Sequence, residues 1–241
     1  MAPLLRTSSP RSIAVLMIAV TMLCMLFVYR QGQSLPSEIN RIAIEPRSLA
    51  IIMPTNKNTD IEFYKNMWVA DYLYTVCDYP GPDCSMSCNQ PSTWATLYKK
   101  TRCFTREIKK RFMSTEFFIK MDDDTFVDRE YIEKLVDQYT GSKEPVYISD
   151  FILNLDYRNR ALNGSYYGNG KFYMFNRPLL DCIDPNIWFW GDRNEDAVFG
   201  AMVHNGCGPD VKKVKEDDSK IWHKRYTSKN KYINLAAVSN H

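Results

Sequence analysis

Histidine is scarce in this chain, which has three: His204, His223 and His241. A two-metal phosphoesterase needs a cluster of His and Asp ligands, and so few imidazoles fit that class poorly. Paired C-x-x-C spacings are absent, which weakens a zinc knuckle built from Cys77, Cys84, Cys88 and Cys103. No internal repeat or low-complexity tract occurs. Surplus positive charge is missing as well. The formal net charge of +3 belongs to Arg6, Arg11 and Arg30, because all 28 acidic residues lie beyond Arg30. The chain beyond Arg30 is formally neutral, so a nucleic-acid footprint is not indicated. Long uncharged apolar runs are absent too, with a single exception.

That exception is Ile13 to Val28, 16 residues without a charge. It is a little short for a spanning helix and long for the apolar core of a signal peptide. Tyr29-Arg30-Gln31-Gly32-Gln33 lacks the small-x-small pattern of a cleavage site. The expectation is a single-pass anchor over 13–29 with a cytosolic tail at 1–12 and a stem at 30–47; a cleaved signal is the competing reading. Two arginines precede the span and one follows closely, which favours a cytosolic N-terminus. A brief span suits a thin early-secretory bilayer. Residues 48–241 then form one lumenal domain, long enough for a proper core. Six cysteines follow the span, Cys77, Cys84, Cys88, Cys103, Cys182 and Cys207, and an even number argues for disulfides in an oxidising compartment, with the pairing open. Asn163-Gly164-Ser165 is an acceptor sequon, usable if that segment is lumenal.

The most informative stretch is Phe117-Phe118-Ile119-Lys120-Met121-Asp122-Asp123-Asp124-Thr125-Phe126-Val127. An apolar, β-prone run ends in three carboxylates and turns apolar again. Three carboxylates at the edge of a core need a cation or hydrogen-bond donors. In an extended segment residues i and i+2 share a side, so Asp122 and Asp124 can converge on one point. Hard oxygen ligands with open positions suit Mg²⁺ or Mn²⁺ carried with a substrate's phosphates. The plain alternative is a solvated acidic turn that caps the next helix. That helix follows Asp128, with Tyr131, Ile132, Leu135, Val136 and Tyr139 on one side and Gly141 as its stop.

Around this unit, Ser48 to Met53 reads as a first buried strand running into a polar loop, and Glu62 to Thr75 as a helix. Trp94, Leu97, Tyr98, Phe104, Ile108 and Phe112 mark a further helix whose Lys99, Lys100, Arg102, Arg106, Lys109, Lys110 and Arg111 form either a solvated basic face or a contact for an anionic leaving group. Pro145 to Phe151 is a strand. Gly168 and Gly170 precede another apolar strand; they shape a turn, or let backbone approach a bulky ligand. Glu195 and Asp196 open a helix that buries Val198, Phe199, Met202 and Val203. Both carboxylates complement its dipole, or one serves as a general base. The polar end, 212–241, is expected to wrap the surface. Ile221-Trp222-His223 is its apolar knot, with His223 a packed histidine or a third metal ligand.

Taken in order, Lys120-Met121-Asp122-Asp123-Asp124-Thr125-Phe126-Val127, the Gly168-Asn169-Gly170 strand, Glu195-Asp196-x-x-x-Gly200 and the late His223 resemble the β-1,3-galactosyltransferase and Fringe-like superfamily. The short tail, anchor and stem are similar to its type II Golgi layout. The resemblance implies an A-type glycosyltransferase fold, a nucleotide-binding α/β sandwich with a central mixed sheet. It also implies an inverting transfer of a hexosyl group, galactose or N-acetylglucosamine, from a UDP-sugar to a glycan or glycoprotein hydroxyl, with Mn²⁺. By position Asp124 and His223 would ligate the metal, Asp122 and Asp123 would hold the ribose and the metal's waters, and Asp196 would be the base. Gly168 and Gly170 would line the donor sugar, and Thr55 with Asn56 would lie near the uridine. The stretch from Thr55 to Asp122 is short for that superfamily, and Trp68 alone stands for its arginine- and tryptophan-bearing helix. A membrane-anchored relative that binds a sugar or partner without catalysis is the rival reading.

Overall fold

The computed structural model describes residues 48–89, 91, 93, 96–155, 165–186 and 194–223. The expected anchor at 13–29, the tail and stem beside it, Cys24, Trp94, the sequon's Asn163 and residues 224–241 lie outside the described residues. Among the described residues no helix is long and apolar enough to cross a membrane.

Strand β1 (Leu49–Pro54) and strand β4 (Phe117–Met121) are apolar at nearly every position because both faces of their sheet are covered. They sit in the middle of seven strands ordered β3-β2-β1-β4-β7-β6-β8. The others are β2 (Leu73–Cys77), β3 (Met86–Ser87), β6 (Val146–Leu153), β7 (Tyr166–Asn176) and β8 (Lys212–Lys215). Strand β7 runs antiparallel to both β4 and β6, whereas β1 is parallel to β2 and β4. The architecture is therefore the expected one, an α/β sandwich about a central mixed sheet. Two further strands, β5 (Thr125–Val127) and β9 (Ile221–His223), pair antiparallel as a small second sheet.

Strand alternation sorts the core into two layers. Ala50, Ile52, Phe118 and Phe175 face helices α2 (Leu97–Arg111), α4 (Arg177–Cys182) and α5 (Glu195–Cys207). Leu49, Ile51, Met53, Phe117, Ile119 and Met174 face α1 (Ile61–Lys65) and α3 (Arg129–Tyr139), with Trp222 of β9. Helix α5 is seated by Phe199, fully buried and stacked on Tyr173 with ring centroids 4.4 Å apart. Burying such a ring contributes about 1.5–3 kcal/mol. Asp128 caps α3, accepting from the Tyr131 backbone N–H, and Gly141 at φ 74° follows its end, as the sequence indicates.

Three expectations change, and the expected disulfides gain their pairing. The helix read over Glu62 to Thr75 is α1, then a 3₁₀ turn (Trp68–Tyr72), then β2. The aromatic and β-branched Leu73-Tyr74-Thr75-Val76 pairs in register with Ile51 to Pro54, so tertiary pairing overrides the helical spacing. Lys212 to Lys215 does not merely wrap the surface but joins the sheet edge beside β6. Gly168 and Gly170 lie inside β7 rather than before it. The six cysteines form Cys77–Cys84, Cys88–Cys103 and Cys182–Cys207, which removes the zinc alternative.

Candidate active site

The acidic triplet leaves the end of β4 as a turn, with the Thr125 N–H donating to the Asp122 carbonyl at 3.1 Å. The Asp122 N–H donates to the Lys171 carbonyl at 3.0 Å, which fixes the turn to β7. The three side chains fan out. Asp122 accepts from Lys120 Nζ at 2.7 Å. Asp123 accepts from Asn56 Nδ2 at 3.3 Å and from the Thr59 hydroxyl. Asp124 stands 3.0 Å from His223 Nε2. Asp122 and Asp124 do converge, but through this turn rather than through strand alternation.

His223 reaches the turn because β9 pairs with β5 so that Thr125 lies opposite His223. Buried Ile221 and Trp222 hold that strand in the core. The result is that Asp122, Asp124 and His223 offer ligand atoms all within 4.8 Å of one another, each side chain partly buried. Two carboxylate oxygens and one imidazole nitrogen, with positions open to phosphate and water, suit Mn²⁺ and admit Mg²⁺. The residues present fit such an ion.

A second cluster adjoins the first. Glu195, at the start of α5, is buried; its Oε1 accepts from Lys120 Nζ at 2.5 Å and its Oε2 from the Thr101 hydroxyl at 2.6 Å. Burial alone would lower Lys120, but Asp122, Glu195 and Asp196 outweigh it and hold the ammonium above its usual range. Burial would raise Glu195, yet Lys120 and the hydrogen bonds it accepts bring it below the ordinary carboxylate value. Asp196 goes the other way: burial, and then the neighbouring Glu195 charge, push it up to about 9. The two carboxyls are thus pushed apart, Glu195 toward its charged form and Asp196 toward its neutral one. Asp122 is raised by burial, against the pull of Lys120.

The glycines have protein across from them. A Cβ on Gly170 would run into the Asp196 carboxylate, and one on Gly168 would meet Tyr147 Oη and the Ser149 side chain. Their smallness thus admits Asp196 and Tyr147. Thr55 is buried, its hydroxyl 3.3 Å from the Val76 carbonyl and its own carbonyl taken by Lys100 Nζ at 2.6 Å. Lys100 also pairs with Asp78 at 2.7 Å, so it is no solvated cation. Arg111, although exposed, donates to the Ser85 carbonyl at 2.7 Å. Asn56 reaches the site through Asp123.

Sequence reasoning missed Lys120, Thr101 and Thr59, and read Glu195 only as a helix-dipole partner or base. Lys120 did carry a signal, since a lysine inside Phe-Phe-Ile-Lys-Met needs a buried counter-charge. Thr101 and Thr59 carried none.

No family model matches the chain, and no curated protein matches it. Among solved structures it is similar to a glycosyltransferase involved in the glycosylation of the major capsid of PBCV-1. That pair shares 14% identity over 72% of this chain and 84% of the other, with a TM-score of 0.40. It is also similar to the mannosyltransferase PcManGT from Pyrobaculum calidifontis, in complex with GDP-Man and Mn²⁺. Here identity is 13% over 86% of this chain and 66% of the other, again with a TM-score of 0.40. A likeness of that size assigns no chemistry to this chain.

Proposed function

We propose that this chain is a metal-dependent glycosyltransferase that moves a hexosyl group, galactose or N-acetylglucosamine, from a UDP-sugar to a glycan or glycoprotein hydroxyl with inversion. The observation that carries the reading is the convergence of Asp122, Asp124 and His223 at the carboxyl end of β4, beside the Glu195–Asp196 pair. Ligands of open α/β sheets bind outside the carboxyl ends of the strands. A divalent cation bound there would supply charge stabilisation to a departing diphosphate. Asp123, held by Asn56 and Thr59, sits where β1 also ends and is suited to position the nucleoside. Asp196 is the group placed to take the acceptor's proton, because its partner Glu195 is already committed to Lys120 and Thr101. On this reading residues 13–29 anchor the domain in a Golgi membrane as a type II protein, with residues 48–241 lumenal.

A second reading is a binding protein of the same fold without catalysis. The upward push on Asp196 from burial and the Glu195 charge favours it, since a protonated carboxyl accepts no proton. Thermal shift of the domain against a panel of UDP-sugars, with and without Mn²⁺, tests the first step. A ligand at 100 times its dissociation constant stabilises by about 2.7 kcal/mol. Asp124→Asn should abolish Mn²⁺-dependent UDP binding by calorimetry while the fold persists. Equal affinity in variant and parent would remove the cation site. Turnover with a UDP-sugar and a glycan acceptor separates the enzyme from the binding protein.

A further inference from the structure

Lys120 occupies the middle of a core strand and is 1% exposed. Alternation along β4 puts it on the Phe118 side of the sheet, toward α2 and α5. Its ammonium has three N–H donors, and three acceptors meet it. They are Asp122 Oδ1 at 2.7 Å, Glu195 Oε1 at 2.5 Å and the Gly170 carbonyl at 2.5 Å. Each lies on a different element: the acidic turn, the first residue of α5, and β7. Asp122 belongs to the candidate cation site, and Gly170 is the position against which Asp196 rests. Removing one partner of a buried pair leaves the other uncompensated, so these groups stand or fall together.

We propose that Lys120 is a positioning residue that ties the cation-ligating turn to the helix presenting Asp196, so that cation affinity depends on Glu195. This rests on the reading of Asp122, Asp124 and His223 as a cation site. Glu195 itself has both oxygens engaged, by Lys120 and by Thr101. Its hydrogen-bonded route to the cation turn is the lysine. An ordinary structural ion pair would affect melting and leave the cation affinity of the folded protein alone.

The experiment measures Mn²⁺ affinity by calorimetry on variants whose circular dichroism matches the parent. Lys120→Met should weaken Mn²⁺ binding by about 10–100-fold, the usual cost of losing a partner that orients a ligating carboxylate. Glu195→Gln should weaken it by a smaller factor, and should add nothing in the Lys120→Met background. Parent affinity in Glu195→Gln overturns the proposal, as does an undiminished Glu195→Gln effect once Lys120 is gone. Should Lys120→Met fail to fold, the tie is decided by urea unfolding of Asp122→Asn and Glu195→Gln, alone and together. A parent that takes up no Mn²⁺ removes the function proposed above, and the tie is then judged by urea unfolding. Asp122→Asn and Glu195→Gln add independently if Lys120 does not join them, which overturns it, and fall short of adding if it does.

Discussion

Asp196 is under two opposed demands. As a base it must be ionised, yet burial and the charge on Glu195 push its pKa up to about 9. Turnover should therefore climb with pH on the acid side of that value, as a pH–rate profile of kcat/KM would show. Asp196→Asn keeps the shape but cannot accept a proton, and should lower turnover by roughly 10²–10⁴ with UDP-sugar affinity little changed. Activity equal to the parent's would move the base elsewhere. The same group also sets a stability trend. Its folded pKa is raised above the unfolded value, so the folded protein holds a proton that the unfolded chain has released. Stability is accordingly lost as pH rises from about 4 to about 9. Asp196→Asn has no such loss and should gain on the parent between about pH 5 and about pH 8 in urea unfolding. A parent that gains on the variant with rising pH would contradict the assigned protonation.

At the scale of elements, β7 and α5 touch through a glycine. Gly170→Ala should displace Asp196 or bend β7, costing about 1–3 kcal/mol as overpacking does. It should also lower turnover, whereas an alanine variant with parent stability and parent activity would show the contact to be slack. This contact was not legible in the sequence, where Gly168-Asn169-Gly170 suggests an approach to ligand and says nothing of which side chain fills the space. Strands β1 and β4 were legible because burial on both faces leaves continuous apolar runs, and α3 because Asp128 and Gly141 mark its ends. The stretch Glu62 to Thr75 was misread because its aromatics recur at helical spacing while β1 offers Leu73 to Val76 a ladder. Asp122, Asp124 and His223 could each be named from residue type. Their convergence depends on β9 pairing with β5, a contact across about 100 residues that no local pattern encodes.

At the scale of the whole molecule, the apolar run Ile13 to Val28 is the proposed anchor. If it is an anchor, the intact protein should resist carbonate extraction from membranes. A soluble form beginning shortly after Arg30 would instead identify a cleaved signal. The three disulfides agree with an oxidising compartment, and two of them join a helix to its neighbours: Cys88–Cys103 fastens α2 to the residue after β3, and Cys182–Cys207 fastens α4 to α5. The seven-stranded sheet has two ends, and both are poor templates. Strand β3 is two residues long, and β8 reads Lys-Lys-Val-Lys with all three lysines exposed. Like charges along one rim repel the rim of a second copy, and a two-residue strand offers almost no ladder to extend. Copies of this chain brought close together would thus be kept from fusing their sheets into a shared fibre.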